Sequence, residues 1–123
     1  MTAVVELRKL PVPSTGGLLT PTVLAVRGDL DHTNATQLRQ HVFAQLPDHR
    51  HHLVLDMTAL GFCDSSGIRV LLTVHTWMNE RAGLLVLVGV PPRLARVFEL
   101  TCLDRLFTIR PTLAHALRES PAP

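Results

Sequence analysis

The apolar positions of this chain repeat first with the period of a strand and then with the period of a helix. In residues 2–10, apolar side chains fall on alternating positions, which predicts a strand. The Pro/Gly/Ser-rich segment PVPSTGG (11–17) predicts a turn, and residues 22–26 (TVLAV) predict a second strand paired with the first. The polar segment GDLDHTN (28–34) predicts a break. Residues 34–46 then carry apolar side chains at helical spacing, typical of an amphipathic helix.

The rest of the chain continues the alternation of strands and helices. The predicted elements are a buried strand at 52–57, a helix at 65–81, a central strand at 84–90, a helix opened by Pro91 and Pro92, a short strand at 106–109, a short helix at 111–118 and a tail from about 119. The order β-β-α-β-α-β-α-β-α predicts one α/β domain over residues 1–123. Its sheet is expected to be mixed, mostly parallel and of about five strands, with helices packed against it.

Composition narrows the function classes. With 46% hydrophobic and 18% charged residues, the 123-residue chain is typical of a soluble globular domain. Trp77, four Phe and no Tyr offer few rings on which single-stranded nucleic acid could stack. The basic residues are scattered and the net charge is only +2, so no nucleic-acid partner is predicted.

No segment has the pattern of a leader or a membrane span, so a cytoplasmic protein without a membrane partner is expected. Cys63 and Cys102 are expected to be free thiols.

The segment with the most chemistry is the Asp-Ser-Ser-Gly turn at 64–67, which lies between an apolar strand and an apolar helix. It places Asp64, Ser65 and Ser66 at a helix N-terminus, where unpaired N–H groups and partial positive charge favour a side-chain oxygen or a phosphate. A serine there can cap the helix, act as a nucleophile or serve as a phosphorylation switch. The turn alone favours the cap and leaves the other two open.

The sequence around this turn does not contain the other groups that a serine enzyme would need. A G-x-S-x-G nucleophile elbow needs glycine two residues before and after the serine, but Cys63 precedes Ser65. His75, on the same helix, is roughly 15 Å from the turn by helical rise, and a packing or surface role is expected for it. The sequence therefore predicts no catalytic residue and no enzyme.

A metal or cofactor site is not predicted either. His49, His51 and His52 are close in sequence, but His51 and His52 point in opposite directions if they begin a strand. A solvated turn is the expected structure of this histidine cluster. The two glycines of GLLVLVGVPP (83–92) have the spacing of neither a P-loop nor a dinucleotide fingerprint.

Three longer stretches resemble the STAS domain family, and specifically its stand-alone bacterial anti-sigma factor antagonists. They are VRGDLDHTNATQLRQ (26–40), LVLDMTALGFCDSSGIRVLL (53–72) and LVLVGVPPRLARVFELTCLDRLFTI (85–109). With the order of the elements, they cover nearly the whole chain.

The resemblance implies a partner switch. In the family, the unphosphorylated antagonist binds an anti-sigma factor that is also a serine kinase with a histidine-kinase-like ATPase fold, and a sigma factor is released. The kinase then phosphorylates the first serine of the turn, here Ser65, and a metal-dependent serine phosphatase reverses this. Asp64, Ser66 and Gly67 match the rest of the turn. Asp31 matches an acidic residue of the family's kinase-binding surface.

Two residues depart from the family pattern, and one alternative function remains. Cys102 replaces a glycine common in the relatives, which is expected to alter a turn. Arg69 stands where many relatives carry a small residue, four residues after Ser65. It could contact a phosphate there or a partner, and the alternative is an arginine that only faces solvent. The alternative is a STAS scaffold or accessory module of a signalling complex or lipid-transport system without sigma-factor control.

Overall fold

A computed structural model describes residues 3–12, 21–46 and 51–118. Within these residues six strands and four α-helices are present. In chain order they are β1 (Val5–Leu10), β2 (Thr22–Leu30), α1 (Ala35–Ala44), β3 (His52–Asp56), β4 (Leu60–Cys63), α2 (Ser65–Glu80), β5 (Leu84–Val88), α3 (Pro92–Thr101), β6 (Thr108–Arg110) and α4 (Leu113–Leu117). A short 3-10 helix, Leu103–Arg105, lies between α3 and β6.

The strands form one mixed sheet. The order across it is β1-β2-β3-β5-β6, and β4 pairs with the far end of β2. Only β1 and β2 run antiparallel, while the other pairs are parallel. The predicted α/β class and mixed, mostly parallel sheet are therefore confirmed, with six strands instead of about five.

Alternation along the inner strands divides the core between the two faces of the sheet. In β3 and β5, leucines such as Leu55 and Leu87 pack in a large cluster with apolar residues of α1, α2 and α3. The intervening valines, such as Val54 and Val86, face the opposite side and pack with Ala116 of α4. A parallel strand covered on both faces needs apolar residues at every position, which explains the unbroken run 84–88.

The segment 28–34 departs most clearly from the predicted pattern. Its first three residues were predicted as a polar break but belong to β2, so that prediction is wrong. Gly28 has a φ of +99°, and the pairing register shifts between Gly28 and Asp29. A side chain at residue 28 would overlap the carbonyl oxygen of Val4. The bulge lets β2 continue and pair with β4, a strand that the sequence pattern did not predict.

The histidine cluster was also assigned wrongly where it can be compared. His51 and His52 are buried, and the His51 ring nitrogen Nε2 lies 2.5 Å from the Thr22 hydroxyl. His49 and the predicted tail lie outside the described residues, as does most of the 11–17 turn. The buried residues Leu53 and Val54 follow directly in β3, and the rings of His51 and His52 beside them are covered as well, which explains why this part of the cluster is not a solvated turn.

Candidate functional site

The site begins with the N-terminus of α2. Asp64 has an extended backbone, and its Oδ1 accepts hydrogen bonds from the N–H groups of Ser66 (2.8 Å) and Gly67 (3.2 Å). Asp64 is therefore the helix cap, and the serines are not. The sequence had suggested that free N–H groups would face a phosphate at this turn. Two of those groups are already bonded to Asp64.

Asp64 also joins this turn to the end of β2. Its backbone N–H donates to the carbonyl of Leu30 (3.1 Å), and its Oδ2 accepts from the N–H of His32 (3.2 Å). The Nδ1 of His32 lies 3.9 Å from the same oxygen. Because β2 and β4 are parallel, their carboxyl ends meet at one edge of the sheet. One carboxylate thus holds two loops together.

Asp31 lies in the loop that Asp64 binds. Its Oδ1 accepts from the hydroxyl (2.5 Å) and the N–H (2.9 Å) of Thr33, and these bonds hold the pKa of this carboxyl below its usual range, helped by the nearby His32. Asp31 is therefore ionised at neutral pH. The structure brings its loop next to the Asp-Ser-Ser-Gly turn, although 33 residues separate Asp31 from Asp64.

Asn34, for which no functional role was predicted, organises the same loop. Asn34 is buried, its amide donates to the carbonyls of Asp29 (2.9 Å) and Ala3 (3.3 Å), and its Oδ1 accepts from the N–H of Asp31 (3.0 Å). A polar residue just before a helix looks like a cap, but this side chain makes no cap hydrogen bond to α1. Asn34 therefore links the segment before β1, the end of β2 and the loop, although its position resembles that of a helix cap.

The two serines of the turn have different surroundings. Ser65 is exposed, and its hydroxyl makes no hydrogen bond with any residue in the described ranges. Ser66 is half-buried and lines a cleft between α1 and α2, to which Arg69 also contributes. Arg69 borders this cleft together with Ser66, three residues before it. Its contact with a phosphate on Ser65, four residues before it on the same helix, stays a prediction.

Gly67 is buried beneath the turn. A Cβ at this position would lie 2.5 Å from the Sγ of Cys63 and 2.8 Å from side-chain carbons of Leu30. The glycine therefore lets α2 start directly against β4 and β2. Burial of Cys63 and the charge of Asp64 raise the pKa of its thiol to about 11, so this cysteine is neutral at physiological pH.

An apolar groove runs beside the turn, between β4 and α3. Leu60, Phe62, Leu94 and Val97 contribute to its walls, and the groove has a volume of about 120 Å³. The Phe62 ring is 50% exposed on the short strand β4. Phe62 was not predicted as a site residue because the sequence pattern did not predict β4. An aromatic residue two positions before the turn was the signal that could have indicated it.

Three further features of the described residues bear on other kinds of function: the surroundings of His75, the grouping of possible metal ligands and the length of the apolar helices. His75 packs edge-to-face on Phe107, as its expected packing role requires, and burial lowers its pKa. Across residues 3–12, 21–46 and 51–118, no three His, Cys, Asp or Glu side chains are grouped as metal ligands. In the same ranges, no helix is both long and apolar enough to cross a membrane.

Comparison with known proteins shows where this fold and turn occur. The model of the STAS domain family matches residues 9–116. An anti-sigma factor antagonist of Bordetella bronchiseptica, BtrV, is 30% identical over 101 residues, which are 82% of this chain and 84% of the relative. The anti-sigma F factor antagonist of Paenibacillus polymyxa is 30% identical over 100 residues, 79% and 86% of the two chains.

A solved structure agrees with the present one. The anti-sigma factor antagonist of Mycobacterium paratuberculosis has a TM-score of 0.73 and 29% sequence identity, and the match covers 91% of this chain and 92% of that one. The similarity thus extends over most of both chains.

Proposed function

Since this chain belongs to the STAS domain family, whose matched relatives are named anti-sigma factor antagonists, we propose that it is a partner-switching antagonist controlled by phosphorylation of Ser65. In the unphosphorylated form it binds an anti-sigma factor that is also a serine kinase, and a sigma factor is released. The kinase phosphorylates Ser65, and a metal-dependent serine phosphatase restores the binding form. The chain itself acts in the cytoplasm as a binding protein and not as an enzyme.

The observation that carries this proposal is the presentation of Ser65. Its hydroxyl is exposed, while Asp64 next to it is fixed by bonds to α2 and to the loop of Asp31. A kinase can therefore reach the hydroxyl without opening the fold. The ionised Asp31, in the loop bonded to Asp64, and the exposed ring of Phe62, two residues before Asp64, provide polar and apolar contacts for the same partner.

The structure also supports the direction of the switch. A phosphate adds a charge of about −1.5 to −2 at pH 7. The N–H groups of Ser66 and Gly67 are bonded to Asp64, so the new charge lies beside a carboxylate and not on a free helix end. An interface that covers Ser65 then has to desolvate this charge. A loss of about 3 to 4 kcal/mol lowers the binding constant by two to three orders of magnitude.

The first test is capture of partners from the native host. Tagged wild type, Ser65→Glu and Thr76→Glu are used as baits, and bound proteins are identified by mass spectrometry. Thr76 is exposed on the same helix, so Thr76→Glu adds the same charge away from the turn. We expect wild type and Thr76→Glu, but not Ser65→Glu, to hold an ATPase of the histidine-kinase-like fold.

A second step examines the modification itself. The captured ATPase is incubated with ATP and either wild type or Ser65→Ala, and the sites of phosphate are mapped by mass spectrometry. We expect phosphate on Ser65 of wild type, release of the complex, and neither result with Ser65→Ala. Equal partners for all three baits, or capture of transport components instead, would contradict the anti-sigma role while leaving the fold unaffected.

A further inference from the structure

The cleft between α1 and α2 has a chemistry that the partner switch does not use. It has a volume of about 160 Å³, and none of the residues that line it carries a carboxylate. Its polar lining residues are His32, Thr36, Arg39, Ser66, Arg69 and Thr73. Two permanent positive charges and three hydroxyl groups therefore border one concave surface.

Both arginines lack a partner in the part of the chain that the structure describes. Neither the Arg39 nor the Arg69 guanidinium makes a hydrogen bond or an ion pair with any of those residues. Two like charges that border one cleft repel each other, and a shared anion relieves this repulsion. A guanidinium presents five N–H donors in a planar fork that suits phosphate oxygens.

The neighbouring charges limit where an anion can lie. Asp64 does not line the cleft, and its Oδ2 accepts from the N–H of the lining residue His32 and lies 3.9 Å from the Nδ1 of that ring. The carboxyl of Asp31 is bonded to Thr33 and does not line the cleft. Arg39 comes from α1 and Arg69 from α2, so donors approach from two elements.

We propose that this cleft binds a phosphoryl group between Arg39 and Arg69. The group can come from two sources with the same chemistry. One is a phosphate esterified to Ser66, whose side chain already lines the cleft; a serine kinase would transfer it from ATP, with ADP leaving and the hydroxyl proton released. The other is a free phosphate or phosphate monoester. The exposed Ser65 does not line it, so the proposal is independent of the function assigned to Ser65.

The first arm tests the free source. The ¹⁵N-labelled chain is titrated with inorganic phosphate at constant ionic strength, and the NMR shifts of the cleft residues are followed. We expect saturable shifts in wild type, weakened about three- to fivefold by Arg39→Gln or by Arg69→Gln, as for loss of one partly solvated ion pair. Arg96→Gln, an exposed arginine of α3 outside the cleft, is the matched control and should bind as wild type.

The second arm tests the covalent source. Phosphoserine is incorporated genetically at position 66 or at position 65, and the second pKa of each phosphate is measured by ³¹P NMR. At position 66, we expect a pKa about half a unit below that at position 65, because nearby guanidinium groups favour the dianion. The difference should disappear with Arg69→Gln and persist with Arg96→Gln.

Each combination of results decides the proposal. A response in the first arm alone assigns the free source, and a response in the second alone assigns Ser66. Absence of a response in both arms would overturn the proposal, and loss of partner binding by Arg39→Gln and Arg69→Gln in that case would indicate that the cleft binds a carboxylate of a protein. Phosphate shifts that are equal in all variants would also overturn it.

Discussion

Replacement of Gly67 by alanine sets two physical effects against each other. Gly67 is the third residue of α2, and alanine in a helix is favoured over glycine by about 1 kcal/mol. An exposed helix would therefore gain stability. In this structure, however, the new Cβ would lie 2.5 Å from the Cys63 Sγ and 2.8 Å from two side-chain carbons of Leu30, well inside normal van der Waals contact.

The packing effect should be the larger one. Leu30 is 1% exposed and belongs to the core cluster, so it cannot move away freely. An added methyl in a packed core costs about 1 to 3 kcal/mol, and overlaps this deep should cost about 2 to 3 kcal/mol, which exceeds the gain in helix propensity. We therefore expect Gly67→Ala to lower the free energy of unfolding by about 1 to 2 kcal/mol.

The assay is equilibrium unfolding in urea followed by circular dichroism, with an unchanged m-value. Ser66→Ala is the matched control, because its side chain makes no hydrogen bond with the described residues and should shift the stability by less than about 0.5 kcal/mol. The pair Gly67→Ala and Cys63→Ala should couple by at least about 0.5 kcal/mol, because Cys63→Ala removes one obstacle. A Gly67→Ala protein as stable as wild type would refute the packing argument. Strict additivity of the two substitutions would show that Cys63 does not obstruct the new methyl group.

Three further predictions follow from the same region and from α3. Asp64→Ala should lower the free energy of unfolding by about 1 to 3 kcal/mol, because it removes the cap and the bond to the His32 loop. Asp64→Asn keeps an acceptor oxygen and should lose less than half as much. Equal losses of the two variants in urea unfolding would contradict this prediction. Cys102→Gly should raise the stability by about 0.5 to 1 kcal/mol, because residue 102 ends α3 with a left-handed φ of 63°, and Cys102→Ala should give no gain in thermal unfolding. At pH 8, iodoacetamide should label exposed Cys102 at least about tenfold faster than Cys63, whose pKa is raised to about 11, and similar rates by mass spectrometry would show that Cys63 is not buried.

The same thiol has a consequence for stability at high pH. The folded chain keeps the Cys63 proton up to a pKa of about 11, while an unfolded thiol loses it near 9.0. The contribution of Cys63 is therefore fully present below pH 9 and is lost as the pH rises towards 11. Wild type should lose stability more steeply than Cys63→Ala across this window.

Local sequence patterns were sufficient to predict most of the strands and helices. The start of α2 at Ser65 was predicted, because the polar turn residues and the apolar residues that follow over the 16 positions of the helix are both local signals. The buried run of β5 and the proline that opens α3 are local in the same sense. Strand β4 was missed because four residues carry little periodicity, and its pairing depends on a bulge at Gly28, 32 residues before it.

The sequence by itself determined the class of the domain, the Asp-Ser-Ser-Gly turn and the resemblance that assigns a role to Ser65. These depend on residue type and on spacing within one element. The tertiary structure decided what surrounds the turn: that the Asp64 carboxylate binds the loop after β2, and that Arg69 shares a cleft with Arg39. Those contacts join residues about 30 positions apart, and only the packing of parallel strands and their helices determines which of them meet.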